Sequence, residues 1–394
     1  MKKILILAVT AILLISFAAC RKAEKEKATI AADPPAEEEI NTNLVPNDAA
    51  AVNQSSKIEA ESASQPALST PVPEASVNYL FNTRELYTYQ DMEADLTTLN
   101  SVYPELMQLQ SIAVTADGRN LYLVTLGSAD SPKSLMINAG IHAREYITSQ
   151  LCMMQLHDLL QKAKEHESYQ GIEVAELLST TRVYFAPMVN PDGVCISQLG
   201  MNGIQKPENK QKVQSIYSLE SQKAADMGAY LQQWKSNSQG VDLNRNFDAD
   251  WESYNDKVGH PSADHYKGSA AEAEIESRAL ADLTRRLKFT ETVSYHTQGE
   301  VIYWYYKQEG ELKARSRHIA EIVQSLTGYR LDSNYQNLDP AGYKDWAISK
   351  MKIPSLTIEC GHGANPVDPA QLSSIWQENK SICPALLLDL YQVN

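Results

Sequence analysis

The chain has 394 residues, of which 43% are hydrophobic and 21% charged, a composition typical of globular proteins that excludes collagen-like, coiled-coil and multi-span membrane chains. Its 35 Lys and Arg residues against 49 Asp and Glu residues give a net charge of −14. Because an acidic surface repels phosphate groups, this charge argues against nucleic acid as a partner.

The N-terminus has the pattern of a secretion signal. Lys2 and Lys3 precede an apolar run over 4–17, which is shorter than the roughly 20 residues of a membrane-spanning helix. The small residues before Cys20 resemble the cleavage site of bacterial lipoproteins, in which the new N-terminal cysteine is acylated. We therefore expect a lipoprotein-type signal peptide over 1–20 and an exported protein, anchored through Cys20 at the outer face of the cell membrane. A cleaved signal without lipid, giving a secreted protein, and an uncleaved anchor are the alternatives.

Residues 21–78 have no helical or strand periodicity. The segment is rich in Ala, Glu, Lys, Ser and Pro and includes a Pro-Pro pair and a Thr-Pro-Val-Pro motif. With so little apolar surface to offset the entropy cost of ordering the chain, we expect a disordered tether. Residues 79–394 are enough for one catalytic domain with a sizeable core, and no repeat or second boundary divides them.

The first predicted elements of this domain are a helix and a hairpin. Residues 88–101 have apolar side chains at helical spacing, and Pro104 follows as a stop signal. Residues 108–126 alternate between polar and apolar around the turn at 116–119, which contains Gly118 and is typical of a β-hairpin. A buried strand is predicted over 134–141 and a helix over 147–166.

Four short apolar runs each end in polar residues. The run over 134–141 is followed by His142, and those over 182–189, 291–295 and 355–358 are followed by Asn190-Pro191-Asp192-Gly193, His296 and Glu359. We interpret the Asn-Pro-Asp-Gly segment as a strand-ending turn. Strands that alternate with helices predict an α/β fold: a single domain with a mixed, largely parallel twisted sheet and helices on both faces. Because ligands bind at the carboxyl ends of such strands, we expect these polar side chains to meet there.

His142, Glu145 and His296 form a candidate metal site. Two imidazoles and one carboxylate are a common set of zinc ligands that leaves a fourth position for water. The His-x-x-Glu spacing of the first two residues is weak evidence alone, because a glutamate at a helix start beside a hydrogen-bonded histidine gives the same pattern. The polar groups of GVDLNRNF (240–247), and Glu359 directly after a buried strand, strengthen the metal-site interpretation.

Six segments resemble the zinc carboxypeptidase family and occur in the order that the family has. They are HAREYIT (142–148), NPDGV (190–194), GVDLNRNF (240–247), SYHTQGEVIYW (294–304), AGYKDW (341–346) and PSLTIECG (354–361). The resemblance extends from about residue 79 to the C-terminus and implies a zinc metallopeptidase with one Zn²⁺ per chain. Within the family, the chain is most similar to bacterial enzymes that cleave γ-D-glutamyl–diamino acid bonds in peptidoglycan stem peptides.

The resemblance assigns roles to the residues of the candidate metal site and its neighbours. It makes His142, Glu145 and His296 the zinc ligands, Glu359 the general base, and Asp242 the residue that orients the first ligand histidine. A general base takes a proton from water and returns it to the leaving amine. A carboxylate bonded to a ligand histidine fixes the tautomer of that histidine. A turn cap is the structural alternative for Asp242.

Four further residues match positions that contact the substrate or the transition state. Arg144, Asn244 and Arg245 match substrate-anchoring positions, where guanidinium groups hold a carboxylate. A salt bridge on a helix face is the alternative for Arg144. Lys235 stands where digestive members of the family have Arg, and we assign it to stabilisation of the oxyanion, with a solvated lysine at a helix end as the alternative.

Two residues near the AGYKDW segment also match family positions. The mobile tyrosine of the family corresponds to Tyr335, although a two-residue difference in spacing leaves Tyr343 open. Lys344 occupies the position that faces the substrate side chain on the leaving-group side. A basic residue there suits a substrate with additional carboxylates, such as diaminopimelate, and a lysine without a partner at the rim is the alternative.

The function that the resemblance implies is hydrolysis of cell-wall stem peptides at the γ-D-glutamyl–diaminopimelate bond. A general metallocarboxypeptidase that removes C-terminal amino acids is the alternative; a deacylase and a tethered binding lipoprotein with a relic site fit the motifs less well. The expected partners are the peptide substrate and, through acylated Cys20, the membrane. Four other cysteines allow one or two disulfide bonds in an oxidising compartment, but the sequence does not pair them: Cys152, Cys195, Cys360 and Cys383.

Overall fold

The structure, a computed structural model, describes residues 86–332 and 339–393. These residues belong to one compact unit, Ser69–Asn394. The predicted signal peptide (1–20), the predicted tether (21–78), the acylation site Cys20 and the candidate Tyr335 lie outside the described residues, and what we expect of them stays a prediction. Within the described ranges, no helix is both long enough and apolar enough to cross a membrane.

Strands and helices are interspersed along the described chain. The strands are β1 (Met107–Val114), β2 (Asn120–Gly127), β3 (Ser134–Asn138), β4 (Ser168–Tyr169), β5 (Ile172–Glu173), β6 (Arg182–Ala186), β7 (Glu291–His296), β8 (Val301–Tyr303), β9 (Arg330–Leu331) and β10 (Ser355–Glu359). The helices are α1 (Tyr89–Val102), α2 (Ile147–Lys164), α3 (Val174–Thr180), α4 (Pro191–Leu199), α5 (Pro207–Glu220), α6 (Met227–Gln232), α7 (Ile275–Leu287), α8 (Gly310–Thr327), α9 (Tyr343–Ser349), α10 (Leu372–Asn379) and α11 (Ile382–Gln392). Short 3₁₀ turns cover Ala143–Glu145, Gly200–Gly203, Ser221–Lys223, Leu243–Arg245 and Pro369–Gln371.

Eight of the strands form one mixed sheet in the order β1-β2-β6-β3-β7-β10-β8-β9, and β4 pairs with β5 in a separate ribbon. The central strands β6, β3, β7 and β10 are parallel to one another, and β9 is parallel to β8. The pairs β1–β2, β2–β6 and β10–β8 are antiparallel. The predicted α/β class, a single domain with a mixed and largely parallel sheet, is therefore confirmed.

Helices cover both faces of this sheet, as predicted. Alternate residues of a strand point to opposite faces, and accordingly Leu135 and Ile137 belong to one apolar cluster while Met136 between them belongs to another. The first cluster includes side chains of α1, α2, α8, α10 and α11, and the second includes side chains of α7 and α9. Because both faces are buried, the ends of the central strands are the part of the sheet that is left to form a site.

The predicted helices and hairpin are present, with small shifts at their ends. The cap of α1 is a capping box, in which the N–H of Thr88 donates to the Asp91 carboxylate at 2.8 Å and the N–H of Asp91 donates to the Thr88 hydroxyl at 3.3 Å. The β1–β2 hairpin turns at Gly118, whose φ of +92° favours glycine. Strand β3 ends at Asn138 and not at residue 141, so a short loop separates it from His142.

The Asn190-Pro191-Asp192-Gly193 segment begins a helix, which corrects its interpretation as a strand-ending turn. Strand β6 ends at Ala186, and α4 begins at Pro191. The side chain of Asn190 caps α4 by accepting a hydrogen bond from the N–H of Gly193 at 3.0 Å. Asparagine at the cap followed by proline favours a helix start as much as a turn, and the helix forms because buried side chains follow in α4.

The four cysteines named above form no disulfide bonds. Each is free and buried: Cys152, Cys195, Cys360 and Cys383. Burial raises the pKa of the Cys195 thiol to about 11, so that thiol remains protonated at neutral pH. The possibility of one or two disulfide bonds among these four cysteines is therefore not realised, and their side chains pack in the core as small apolar groups.

Candidate metal centre

A cleft of about 600 Å³ lies at the carboxyl ends of the central strands. Most of the candidate residues that the structure describes line it, and they are His142, Arg144, Glu145, Lys235, Asn244, Arg245, Lys344 and Glu359. Asp242 and His296 lie behind this lining, with 0% and 2% of their surfaces exposed. The expectation that polar residues from separate strands meet at one edge of the sheet is therefore met for His142, His296 and Glu359, whereas residues 190–193 do not line the cleft.

His142, Glu145 and His296 converge at the base of the cleft. Nδ1 of His142 lies 2.9 Å from Oε1 of Glu145, and Nδ1 of His296 lies 2.9 Å from Oε2 of the same carboxylate. The two Nδ1 atoms lie 3.0 Å apart. All three side chains are buried. Within the described ranges, no second group of three His, Cys, Asp or Glu side chains converges in this way.

The donor atoms of these three side chains fit a zinc ion. Tetrahedral zinc with bonds of about 2.0–2.1 Å to nitrogen and oxygen places neighbouring ligand atoms about 3.3 Å apart. The separations of 2.9 and 3.0 Å measured here are close to that value. Two imidazole nitrogens this close together need a proton or a cation between them. A divalent ion bound to both nitrogens and to the carboxylate removes the need for the proton, so the three side chains are arranged as a shared cation requires.

The loop that carries His142 is held in one conformation. Gly140 has a φ of +62°, and a Cβ at this position would lie 2.4 Å from the Ser149 hydroxyl oxygen, so only glycine fits. The carbonyl of Gly140 accepts a hydrogen bond from the N–H of Asn190 at 3.0 Å. Asn190 also donates from Nδ2 to the carbonyls of Ile141 at 3.2 Å and Ser236 at 3.1 Å. Its side chain therefore joins the loop of His142 to the neighbouring loop.

Asp242 is buried directly behind His142. Its Oδ1 lies 3.3 Å from Nε2 of His142, and its Oδ2 lies 3.2 Å from Nζ of Lys235. Oδ1 also accepts a hydrogen bond from the N–H of Asn244 at 3.1 Å, so the side chain caps a turn and faces the histidine at the same time. Burial raises the pKa of Asp242, but Lys235 and His142 lower it by more, and the result is a pKa well below the ordinary value. An ionised carboxylate therefore faces Nε2 of the histidine.

Lys235 is buried at the cleft wall and is not a solvated lysine. Only 8% of its surface is exposed. Its backbone N–H donates to the carbonyl of Ala263 at 2.8 Å, and its carbonyl accepts from the N–H of Ala143 at 3.0 Å. These bonds fix Lys235 next to the turn that follows His142, with its ammonium group 3.2 Å from Asp242.

Glu359 is the last residue of β10 and pairs in the sheet with His296, the last residue of β7. Its carboxylate lines the cleft and forms no hydrogen bond or ion pair with a described residue. Burial raises the pKa of Glu359 to about 7; Glu145 adds to this rise, while His296 and Lys235 oppose it. A bound divalent cation lowers the pKa of a neighbouring carboxyl group. The position and the lack of other bonds suit a proton acceptor.

The predicted anchoring residues Arg144, Asn244 and Arg245 all line the cleft. Arg144 donates from Nη1 to the carbonyl of Gln233 at 3.2 Å, and no carboxylate among the described residues forms an ion pair with it. Arg245 is mostly buried; its guanidinium donates to the carbonyl of Asn244 at 2.8 Å and pairs with the carboxylate of Asp339. Since this guanidinium already holds a carboxylate, its geometry suits a substrate carboxylate as well.

Tyr343 is a core residue, which excludes it as the mobile tyrosine. It is buried, and its hydroxyl lies 2.9 Å from the hydroxyl of Thr284. Its backbone N–H donates to Oδ1 of Asn244 at 3.0 Å. The other candidate, Tyr335, lies outside the described residues.

Lys344 lines the cleft, as predicted, but it has partners. Its ammonium group pairs with the carboxylate of Asp345 and donates to the carbonyl of Tyr305 at 3.2 Å. The alternative of a lysine without a partner is therefore wrong. The positive charge of Lys344 is already balanced by a carboxylate within the protein.

Three residues that the sequence analysis did not identify line the side of the cleft next to β8 and β9: Tyr303, Arg330 and Asp332. Strand β9 has only two residues, Arg330–Leu331, and no apolar run marks it in the sequence. Its place near the site follows from pairing with β8, a contact between distant parts of the chain. The position of β8 just after the His296 motif was the one local signal for Tyr303.

The fold and the convergent His, Glu and His side chains define a zinc metallopeptidase. The family model described as zinc carboxypeptidase matches residues 92–382. The chain belongs to the zinc carboxypeptidase family, and the resemblance found in the sequence is confirmed.

Individual relatives and structures agree with this assignment. The γ-D-glutamyl-L-diamino acid endopeptidase 1 of Lysinibacillus sphaericus is 32% identical over 300 residues, which cover 76% of this chain and 72% of that protein. Carboxypeptidase B of Bos taurus is 27% identical over 285 residues, covering 69% and 62%. A crystal structure of thrombin activatable fibrinolysis inhibitor superposes with a TM-score of 0.63 at 18% identity, covering 82% and 78% of the two chains, and supports the fold alone.

Proposed function

We propose that the protein hydrolyses the γ-D-glutamyl–diaminopimelate bond of peptidoglycan stem peptides. The observation that carries this proposal is the similarity to a γ-D-glutamyl-L-diamino acid endopeptidase, which extends over 76% of the chain. The charged groups of the cleft support it, because beside five carboxylates the cleft of this protein, whose net charge is −14, has five cationic side chains in its lining. They are Arg144, Lys235, Arg245, Arg330 and Lys344. A stem peptide that carries both carboxylates and an ammonium group fits a lining with charges of both signs.

In the proposed reaction, His142, Glu145 and His296 would hold one zinc ion. The ion supplies a Lewis acid that polarises a carbonyl and lowers the pKa of water. Glu359 takes a proton from the attacking water and delivers it to the leaving amine, so one carboxyl group serves as base and then as acid. Asp242 keeps His142 in the tautomer and orientation that leave its Nδ1 free for the metal.

The cationic groups of the cleft bind charge on the substrate. Lys235 is placed to stabilise negative charge that develops on the scissile carbonyl oxygen, since its ammonium lines the cleft next to the turn of His142. Arg144, Asn244 and Arg245 hold a carboxylate of the substrate. For Tyr335 we propose the role of the family's mobile tyrosine.

The experiment that tests this function is digestion of L-Ala-γ-D-Glu-meso-diaminopimelate, with ordinary peptides that end in a free carboxylate as the comparison. Products are identified by mass spectrometry. We expect the zinc-loaded protein to cleave the amide between the γ-carbonyl of D-Glu and the amino group of diaminopimelate, releasing L-Ala-D-Glu and free diaminopimelate, and Glu359→Gln to do so at least about 10²-fold more slowly. Release of C-terminal amino acids from ordinary peptides, without cleavage of the γ-D-glutamyl bond, would establish the general metallocarboxypeptidase instead.

We also propose that the mature protein is exported and held at the outer face of the cell membrane by acylated Cys20. The support is the sequence pattern of residues 1–20. Acyl chains on a cysteine anchor a protein without a membrane-spanning helix. Expression of the full chain with a radioactive fatty acid tests this: we expect label in the membrane fraction, and Cys20→Ser to remove it. An unlabelled protein in the medium, shortened by the length of the signal peptide, would show a secreted form.

A further inference from the structure

Arg330 and Asp332 lie on the same face of the edge of the sheet. The N–H of Arg330 donates to the carbonyl of Glu300 at 3.1 Å, and the N–H of Asp332 donates to the carbonyl of Ile302 at 2.9 Å. This ladder continues the parallel pairing of β9 with β8 through Asp332. Residues two apart in a strand point to the same face. Both side chains line the cleft, so that face is the one that looks into it.

The register of the sheet places Arg330 near the candidate base. Glu359 pairs with Val301, and Val301 pairs with Arg330. At a strand spacing of about 4.8 Å, the Cα atoms of Glu359 and Arg330 lie about 10 Å apart. When a substrate bond is cleaved beside Glu359, the substrate side chain that follows this bond is therefore within reach of Arg330 and Asp332.

Arg330 differs from the other cations of the cleft because its side chain forms no hydrogen bond or ion pair with any described residue. The other four have partners within the protein: Arg144 with the Gln233 carbonyl, Lys235 with Asp242, Arg245 with Asp339 and Lys344 with Asp345. No ion pair joins Arg330 to Asp332 either, although they are only two residues apart in this described segment. The guanidinium is therefore available to a carboxylate of the substrate.

The charges of this edge match one class of amino acid side chain. Diaminopimelate ends in a carbon that carries both an ammonium and a carboxylate, at the end of a three-methylene chain. Lysine is the same molecule without the distal carboxylate. A guanidinium and a carboxylate side by side on one strand face can bind such a zwitterionic end, each with the opposite charge.

We propose that Arg330 and Asp332 form a subsite for the distal end of a diamino dicarboxylic acid, with Arg330 binding its carboxylate and Asp332 its ammonium. The proposal rests on the proposed function, because it places diaminopimelate on the leaving-group side of the cleaved bond. It adds the residues that distinguish diaminopimelate from lysine at that position.

The experiment compares two peptides, L-Ala-γ-D-Glu-meso-diaminopimelate and L-Ala-γ-D-Glu-L-Lys, with the zinc-loaded full protein. We expect Arg330→Gln to lower kcat/KM for the first peptide by about 10- to 100-fold, the size of one charge-assisted hydrogen bond, and to change the second by less than about twofold. Asp332→Asn should lower kcat/KM for both peptides, because both carry the distal ammonium. Equal losses on both peptides with Arg330→Gln, or no loss on either, would overturn the proposal.

Matched control variants are Arg286→Gln on α7 and Asp130→Asn in the loop after β2. Both residues are exposed and neither lines the cleft. We expect both variants to cleave the two peptides as the unmodified protein does. If kcat/KM falls as much in the control variants as in the test variants, the effect comes from the change of charge in general, and the proposed subsite is contradicted.

A binding measurement separates this proposal from the proposed function. Isothermal titration of the zinc-loaded protein with free meso-diaminopimelate should show binding that Arg330→Gln weakens by about the same factor, whereas L-lysine binding should not change. If neither peptide is cleaved but this difference is found, the bond assignment fails and the subsite stands. If diaminopimelate binding does not depend on Arg330, the subsite is refuted whichever bond the protein cleaves.

Discussion

Replacement of Asp242 by asparagine tests how the metal centre is organised. The substitution keeps the shape of the side chain and removes one negative charge from a position with 0% exposure. Two groups lose that charge: Nε2 of His142, at 3.3 Å, and Nζ of Lys235, at 3.2 Å. An amide oxygen can still accept from either group, so the change removes charge without opening a cavity.

The two contacts predict effects of different size. Removal of the partner of a metal-binding histidine lowers metal affinity by about 10- to 100-fold, or about 1.4 to 2.7 kcal/mol. Loss of one member of a buried ion pair costs about 3–5 kcal/mol, and we expect Asp242→Asn to lie near the lower end because the amide still accepts a hydrogen bond from Lys235. Zinc affinity should therefore fall by one to two orders of magnitude, and the free energy of unfolding in excess zinc by about 3 kcal/mol.

Zinc affinity is measured by competition with a chromophoric chelator, and unfolding by urea titration at saturating zinc. Asp248→Asn is the matched control, since Asp248 is a surface residue whose partner is Lys350 at 2.9 Å and which does not line the cleft. Exposed ion pairs contribute at most about 1 kcal/mol, so the control should bind zinc normally. An Asp242→Asn protein with unchanged zinc affinity would refute the role that we assign to this carboxylate.

Three other substitutions separate the roles of charged groups in and near the cleft. Glu359→Gln should lower kcat by about 10²- to 10⁴-fold at unchanged zinc content, and full activity would contradict the general base. Burial, with a smaller contribution from Asp192, raises the pKa of Glu276 from 4.5 to about 8. The folded protein then keeps a proton that the unfolded chain releases, so the free energy of unfolding falls as pH rises between these two pKa values. The fall amounts to up to roughly 5 kcal/mol, and Glu276→Gln should remove it. Urea titrations from about pH 5 to about pH 9 measure this difference. Asp339→Asn should lower KM by up to about fivefold, because Asp339 is exposed and competes with substrate for Arg245; a higher KM would show that it positions this arginine instead.

The sequence predicts the centre of the sheet better than its edges. The strands β3, β7 and β10 are buried along almost their whole length, and the short, mainly uncharged runs that such strands favour are visible in the sequence. Their polar ends, His296 and Glu359, are predicted for the same reason. By contrast, β9 forms only because β8 lies beside it, and two residues carry no periodicity. Arg330 is therefore found from the pairing of distant strands and not from a local pattern.

Side-chain partners within the cleft are also beyond local sequence patterns. The sequence identifies Lys235 and Lys344 as cations of the site, but burial and neighbours decide their state. Lys235 is buried against Asp242 because the loop over 235–242 folds back under the metal centre. Lys344 pairs with the next residue in the chain, Asp345. From the motif alone, Lys344 could equally have been a solvated lysine at the rim of the cleft. Whether such a lysine is paired or solvated depends on its desolvation, which is a property of the whole fold.

The ion pairs of the cleft explain where selectivity between acidic substrates is expected to arise. Cations that are removed from water need counter-charges of their own, and three such pairs line or underlie the cleft: Lys235–Asp242, Arg245–Asp339 and Lys344–Asp345. At a paired cation, a substrate carboxylate replaces one counter-charge with another, which changes the binding free energy little. Arg330 has no counter-charge bonded to it among the described residues, so a carboxylate there adds an interaction and replaces none. We therefore expect discrimination between substrates with and without a distal carboxylate to depend on Arg330 more than on the three paired cations.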